Sequence, residues 1–184
     1  MKVERASIPD ILILEPQVFG DARGFFMETW NARVFERLGI KAQFVQDNHS
    51  SSTKNVLRGL HYQLRQPQGK LVRVTAGEIW DVAVDLRRSS PSFGRWTGLK
   101  LDAASKRMLW IPAGFAHGFL VLSGTAEVQY KTTDYYAPEH ERTLLWNDPA
   151  LGIDWPALDT PTREPVMTDK DRNGVPLASA ATYD

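Results

Sequence analysis

Ile111-Pro112-Ala113-Gly114-Phe115-Ala116-His117-Gly118-Phe119 reads as a turn that runs straight into an apolar strand. Pro112 fixes its own φ, and Gly114 supplies the backbone freedom a tight turn needs. His117 falls in phase with Phe119 and Val121, so a period of two sets an imidazole on an apolar face. The pattern recurs outward from there. Lys70 shares a face with Val72 and Val74, His61 and Gln63 share one with Leu57, and Tyr130 is in phase with Ala126, Val128 and Thr132. Trp80, Val82, Val84 and Leu86 alternate with Asp81, Ala83, Asp85 and Arg87, which predicts a half-buried strand, and Ala76-Gly77-Glu78 is the turn before it. Pointed inward together, the four mixed faces line one interior with a Lys, two His and a Tyr. Burying an ammonium without partners is costly, so such a lining implies a polar cavity. A slip of one residue in phase would send the same groups to solvent; agreement among four strands weighs against it.

Many short strands between Gly, Pro and Asp turns predict a mainly β sandwich or barrel. One short N-terminal helix stands out: Asn31 can cap it, Val34, Phe35 and Leu38 make its apolar face, and Gly39 can end it. From Trp155 the chain is rich in Pro, Asp and Thr, which predicts an irregular C-terminal arm. The 184 residues fit one domain, 1–184. Twenty-two basic residues balance twenty-two acidic ones, which leaves no electrostatic footprint for nucleic acid or an anionic membrane. Any phosphate must be held by a local Arg and Lys cluster. Without cysteine there are no disulfides and no thiolate metal ligands. Residues 1–5 are charged and no long apolar run follows, so neither a signal peptide nor a membrane span is expected, and the cytoplasm is the expected compartment.

The opening stretch resembles the second cupin motif, P-x-G-x-x-H. The first cupin motif supplies two His in H-x-H and a Glu further on, all metal ligands. The matching region here is Gly59-Leu60-His61-Tyr62-Gln63, ending near Gly77, so Gln63 stands in the place of the second His. The nearest counterpart of the Glu is Lys70, a cation that cannot coordinate while protonated. Two His, a Gln and a Lys make a poor zinc or iron site. The resemblance thus implies a cupin-type jelly-roll β-barrel rebuilt for metal-free chemistry.

Longer stretches resemble one family. They are Phe19-Gly20-Asp21-Ala22-Arg23-Gly24-Phe25-Phe26, Gln46-Asp47-Asn48-His49-Ser50, Leu57-Arg58-Gly59-Leu60-His61-Tyr62-Gln63, Gln68-Gly69-Lys70-Leu71-Val72-Arg73, Tyr130-Lys131-Thr132-Thr133-Asp134-Tyr135-Tyr136 and Lys170-Asp171. With the opening stretch, they are similar to the dTDP-4-dehydrorhamnose 3,5-epimerase family over residues 8–171. That resemblance implies an isomerase of dTDP-L-rhamnose biosynthesis acting on dTDP-4-keto-6-deoxy-D-glucose, with no cofactor and as a homodimer. It implies His61 as the base, Asp171 as its orienting carboxylate, Tyr130 as the acid and Lys70 as the stabiliser of the enolate oxygen. For substrate binding it implies Arg23, Glu28, Gln46, Asn48, Arg58, Lys70, His117, Glu141 and Lys170, with Phe26 and Tyr136 as stacking surfaces for thymine. Where the family has Leu-Ser-x-Lys-Asp, this chain has Met167-Thr168-Asp169-Lys170-Asp171, which leaves Asp169 as a second candidate partner for His61. The alternative activity is epimerisation at C3 or C5 alone. A metal-dependent cupin isomerase or dioxygenase would need the missing H-x-H and Glu. A non-catalytic sugar-nucleotide-binding cupin would not need His61, Lys70, Tyr130 and an Asp together.

Overall fold

The computed structural model describes residues 1–158, 160 and 164–184. Two antiparallel sheets pack face to face. The first runs, in spatial order, β1 (Lys2–Arg5), β2 (Leu12–Glu15), β10 (Met108–Ile111), β7 (Lys70–Ala76), β12 (Thr125–Thr132) and β5 (Gln46–Thr53). The second runs β13 (Glu141–Thr143), β6 (Leu57–Gln63), β11 (Phe115–Val121), β8 (Glu78–Asp85) and β9 (Trp96–Asp102). From β5 to β13 the chain changes sheet at every step except β8 to β9, which is the winding of a jelly roll. The sheets do not close on each other, so the expected barrel is an open sandwich. A separate hairpin, β3 (Val18–Asp21) with β4 (Gly24–Met27), stands outside both sheets.

Three apolar clusters explain this layering. Val72, Val74, Ile79, Ala83, Leu109, Phe119 and Val128 fill the space between the sheets. Leu60, Tyr62, Val82, Val84 and Leu86 cover the outer face of the second sheet and pack under the C-terminal arm, where Leu151, Trp155, Leu177 and Tyr183 meet them. Leu14, Leu71 and Met108 do the same for the first sheet beneath α1 (Ala32–Arg37) through Phe35, Val34 and Leu38. Asn31 caps α1 by accepting from the N–H groups of Arg33 and Val34, and Gly39 follows it at φ +84°, as the sequence predicts.

Two expectations change. The strand from Glu78 to Asp85 is not half-buried. Val82, Val84 and Leu86 lie beneath the arm, while Ala83 and Asp81 belong to the face that looks between the sheets, so both faces are covered. The arm also contains a second helix, α2 (Asp169–Arg172), beside the one helix expected. Thr168 caps it by accepting from the Asp171 N–H, and it packs on β6.

Candidate active site

One end of the inter-sheet space opens into a cavity of about 340 Å³. The second sheet contributes Arg58 and His61 from β6, His117 and Phe119 from β11, and Glu141 from β13. The first sheet contributes Gln46, Asn48 and Ser50 from β5, Lys70 from β7 and Tyr130 from β12. Tyr136 and Lys170 complete the rim. His61 and His117 are direct partners across β6 and β11. The two strands come unusually close there. A Cβ on Gly59 would stand 2.6 Å from Gly118 Cα, and one on Gly118 would stand 2.5 Å from the Arg58 carbonyl. The β6–β11 register shifts at this point, which is why Arg58 and His61, of opposite parity, both reach the cavity.

Asp171 stands with an oxygen 2.6 Å from His61 Nε2. That carboxylate also accepts from the Gly59 N–H at 3.1 Å and the Thr168 hydroxyl at 2.6 Å. Burial pushes its pKa up, but the His61 contact and these bonds outweigh it and hold the group at about 2. Asp169 makes no such approach to His61 among the described contacts. With Nε2 against a carboxylate, Nδ1 is the ring nitrogen left to carry a lone pair.

Lys70 is buried, with Nζ 3.5 Å from the His61 carbonyl. Loss of solvation lowers its pKa to about 8, against the opposing pull of Asp81 and Glu141. Burial raises the pKa of Tyr130 and outweighs the nearby Arg58 charge, so its phenol keeps its proton. Glu141 accepts from Lys170 at 2.8 Å and from the Tyr136 hydroxyl at 3.0 Å. Burial works to raise the Glu141 pKa, but Lys170 and the His61 charge bring it below the usual range.

The places of the cupin metal ligands do not fit a metal. The Gln63 amide is fully engaged by backbone groups of Gln66, Tyr135 and Ala137. Among the described residues no three His, Cys, Asp or Glu gather as a metal site.

Of the binding residues read from the sequence, Gln46, Asn48, Arg58, Lys70, His117, Tyr136, Glu141 and Lys170 meet at the cavity. Arg23, Phe26 and Glu28 do not. Arg23 pairs with Asp21 in the outlying hairpin, Phe26 is 71% exposed, and Glu28 accepts from Asn31. The sequence reading missed Ser50, Gln68 and above all Asp81. Asp81 has no exposed surface, and its two oxygens stand 3.0 and 2.9 Å from His117 Nε2. The signal was present: an acidic residue in the middle of the apolar run Ile79–Val84.

The family model for dTDP-4-dehydrorhamnose 3,5-epimerase matches residues 5–179. The chain belongs to the dTDP-4-dehydrorhamnose 3,5-epimerase family. Family members of this name include a protein of Pseudomonas aeruginosa, 61% identical over all of this chain and 99% of its own length, and one of Shigella flexneri, 57% identical over 98% of both. The crystal structure of the epimerase of Legionella pneumophila, in complex with dTDP-4-keto-L-rhamnose, superposes with a TM-score of 0.93 at 50% identity, covering 98% of this chain and 94% of that one. The jelly roll is therefore the fold of this epimerase family, and no helix among the described residues is long and apolar enough to cross a membrane.

Proposed function

We propose that this chain inverts C3 and C5 of dTDP-4-keto-6-deoxy-D-glucose to give dTDP-4-keto-L-rhamnose. One observation carries the reading. The His61–Asp171 pair and the Tyr130 phenol project into one cavity from the two opposing sheets, with the Lys70 ammonium beside them. Inversion needs a base on one face of a sugar carbon and an acid on the other.

The C4 ketone acidifies the hydrogens on C3 and C5. His61 Nδ1 takes one of these protons, and the C–H electron pair moves into a C=C bond while C4–O gains the negative charge. Asp171 stabilises the imidazolium without taking its proton. Lys70 meets the enolate oxygen with a positive charge in a site shielded from water. The Tyr130 O–H then returns a proton to the opposite face, the enolate collapses to the ketone, and solvent resets both residues. The ketone is the electron sink, so no cofactor takes part, and activity is expected to persist in chelator. Arg58 and His117 are assigned to the diphosphate or the sugar's polar edge, because a guanidinium donates to phosphate in a planar fork. Gln46, Asn48, Glu141 and Lys170 frame the rest, and Tyr136 offers thymine a stacking face.

The hairpin fits the same reading as a homodimer element. Phe25 and Phe26 are exposed beside Arg23, an arrangement suited to reaching a second copy's nucleotide end. A monomer at micromolar concentration in sedimentation would refute that assignment.

The test is Tyr130→Phe in deuterated water. The His61 base remains, so deuterium should wash into the 4-keto sugar by mass spectrometry while NMR shows little epimer, a loss of about 10²–10⁴-fold in turnover. Near-normal epimerisation would remove Tyr130 from the acid role. The same NMR separates inversion at both centres from inversion at C3 or C5 alone.

A further inference from the structure

Gln63 is a buried polar side chain that the chemistry does not use. It is 3% exposed, yet it does not line the cavity. Its amide bonds to two loops, once to the β6–β7 turn and twice to the segment after β12. Nε2 donates to the Tyr135 carbonyl at 3.1 Å and the Gln66 carbonyl at 2.8 Å, and Oε1 accepts from the Ala137 N–H at 3.0 Å. Tyr135 and Ala137 flank Tyr136, the aromatic at the cavity rim. The Tyr136 N–H itself donates to Gln46 Oε1 at 3.0 Å, and Gln68 holds the Asp134 carbonyl at 2.9 Å. Segment 133–137 lies outside the sheet ladders, so side-chain amides satisfy backbone groups that a strand would otherwise pair. Tyr136 is half exposed and has one side-chain hydrogen bond, to Glu141. Its position therefore depends on the backbone that carries it.

We propose that Gln63 is a positioning residue: its buried amide fixes the peptide on both sides of Tyr136 and so sets the affinity of the cavity for a thymidine diphosphate. The proposal rests on the assignment of Tyr136 to the nucleotide made above. Removing the amide takes this partner from three backbone groups, of which the Ala137 N–H is buried. The loop must then move to hydrate them, and the ring moves with it. The reacting groups His61, Lys70 and Tyr130 are held in place by the sheet ladders of β6, β7 and β12, so binding should suffer more than chemistry.

The experiment is a double-mutant cycle read by calorimetric titration with dTDP. Gln63→Leu should weaken dTDP by about tenfold, raise KM by a similar factor and change kcat by less than about threefold. In a Tyr136→Ala background the same substitution should add less than about twofold, because its effect runs through the ring already removed. Independent, multiplying losses would overturn the proposal while leaving Tyr136 as a nucleotide contact. Unchanged dTDP affinity in Tyr136→Ala would overturn the nucleotide assignment, and the proposal with it. Should Gln63→Leu fail to fold, Gln63→Glu takes its place under the same criteria. It keeps the acceptor for Ala137 N–H and loses the donor to Tyr135.

Discussion

Two histidine–carboxylate pairs stand opposite each other across β6 and β11, and they are built in different ways. His61 takes its carboxylate from α2, in the C-terminal arm, with Thr168 and the Gly59 N–H sharing the load. His117 takes its carboxylate from the adjacent strand β8, and both oxygens face the same ring nitrogen. The side chain of His61 is 24% exposed and that of His117 is 7% exposed. An imidazole open to the cavity can give and take protons at each turnover. One sealed in the sheet presents a fixed edge to whatever binds. Under the proposed function the same pair of residue types serves proton transfer in one place and orientation in the other.

The sharpest way to break this comparison is to truncate each ring. His61→Asn should lower kcat by about 10²–10⁴-fold and abolish exchange of the substrate's C3 and C5 hydrogens with deuterated water. His117→Asn should keep exchange measurable but leave Asp81 buried and unpaired, at a cost of roughly 3–5 kcal/mol read by urea unfolding. Loss of exchange in both variants would erase the distinction. The carboxylates should follow their partners. Asp171→Asn should cost about 10²-fold or more in kcat, since the ring loses its stabilising charge, while Asp81→Asn should raise KM more than it lowers kcat. Equal kcat losses would mean that both rings move protons.

The pH dependence separates the regions further. With its pKa lowered to about 8, Lys70 should lose its proton as pH rises through that value, and kcat should fall with it. The Tyr130 phenol, its pKa raised by burial, remains protonated there. Lys70 faces Asp81 on β8, Glu141 on β13 and Lys170 on α2, so Asp81→Asn should move this limb to lower pH. The stability contribution runs the other way. Between about 8 and 10.5 the unfolded chain binds more protons than the folded one, so folding gains as pH rises. A kcat profile flat to pH 10 would remove the ammonium from the mechanism. The smallest effect is at acid pH. Asp171 favours the folded state by about 2 kcal/mol above its unfolded pKa, and that contribution is lost as pH falls through about 2. Asp171→Asn should flatten acid unfolding in that window.

The inward faces of β7, β11 and β12 were legible because alternation reports which residues share a face, and Lys70, His117 and Tyr130 each ride with valines or phenylalanine. Alternation does not say which face is the inside. On β8 the more apolar face, Val82 and Val84, turned out to lie under the arm, and Asp81 went unnoticed because its face was taken as the solvent side. The helix at Asn31 carried its own cap and stop. α2 did not announce itself, since four residues after Thr168 show no period and are held by packing on β6. Arg23, Phe26 and Glu28 came from motif likeness, and the hairpin of the first two, with Glu28 just past it, lies apart from the cavity of its own chain. Gln63 was read as sharing a face with His61 and Leu57, but only the fold reveals the register shift in β6 and the two loops that absorb the Gln63 amide.

Gly59 and Gly118 have a consequence for how this sequence can change over time. Neither has a side chain to offer substrate, yet each lies where one methyl group would collide with the backbone opposite. In a saturation library selected for epimerisation, these two positions should score as intolerant as the histidines beside them. A survey that ranks importance by mutational sensitivity would mistake them for chemistry. Their role is to keep a distance: an alanine at either site would wedge β6 from β11, and the two imidazoles would no longer share one substrate.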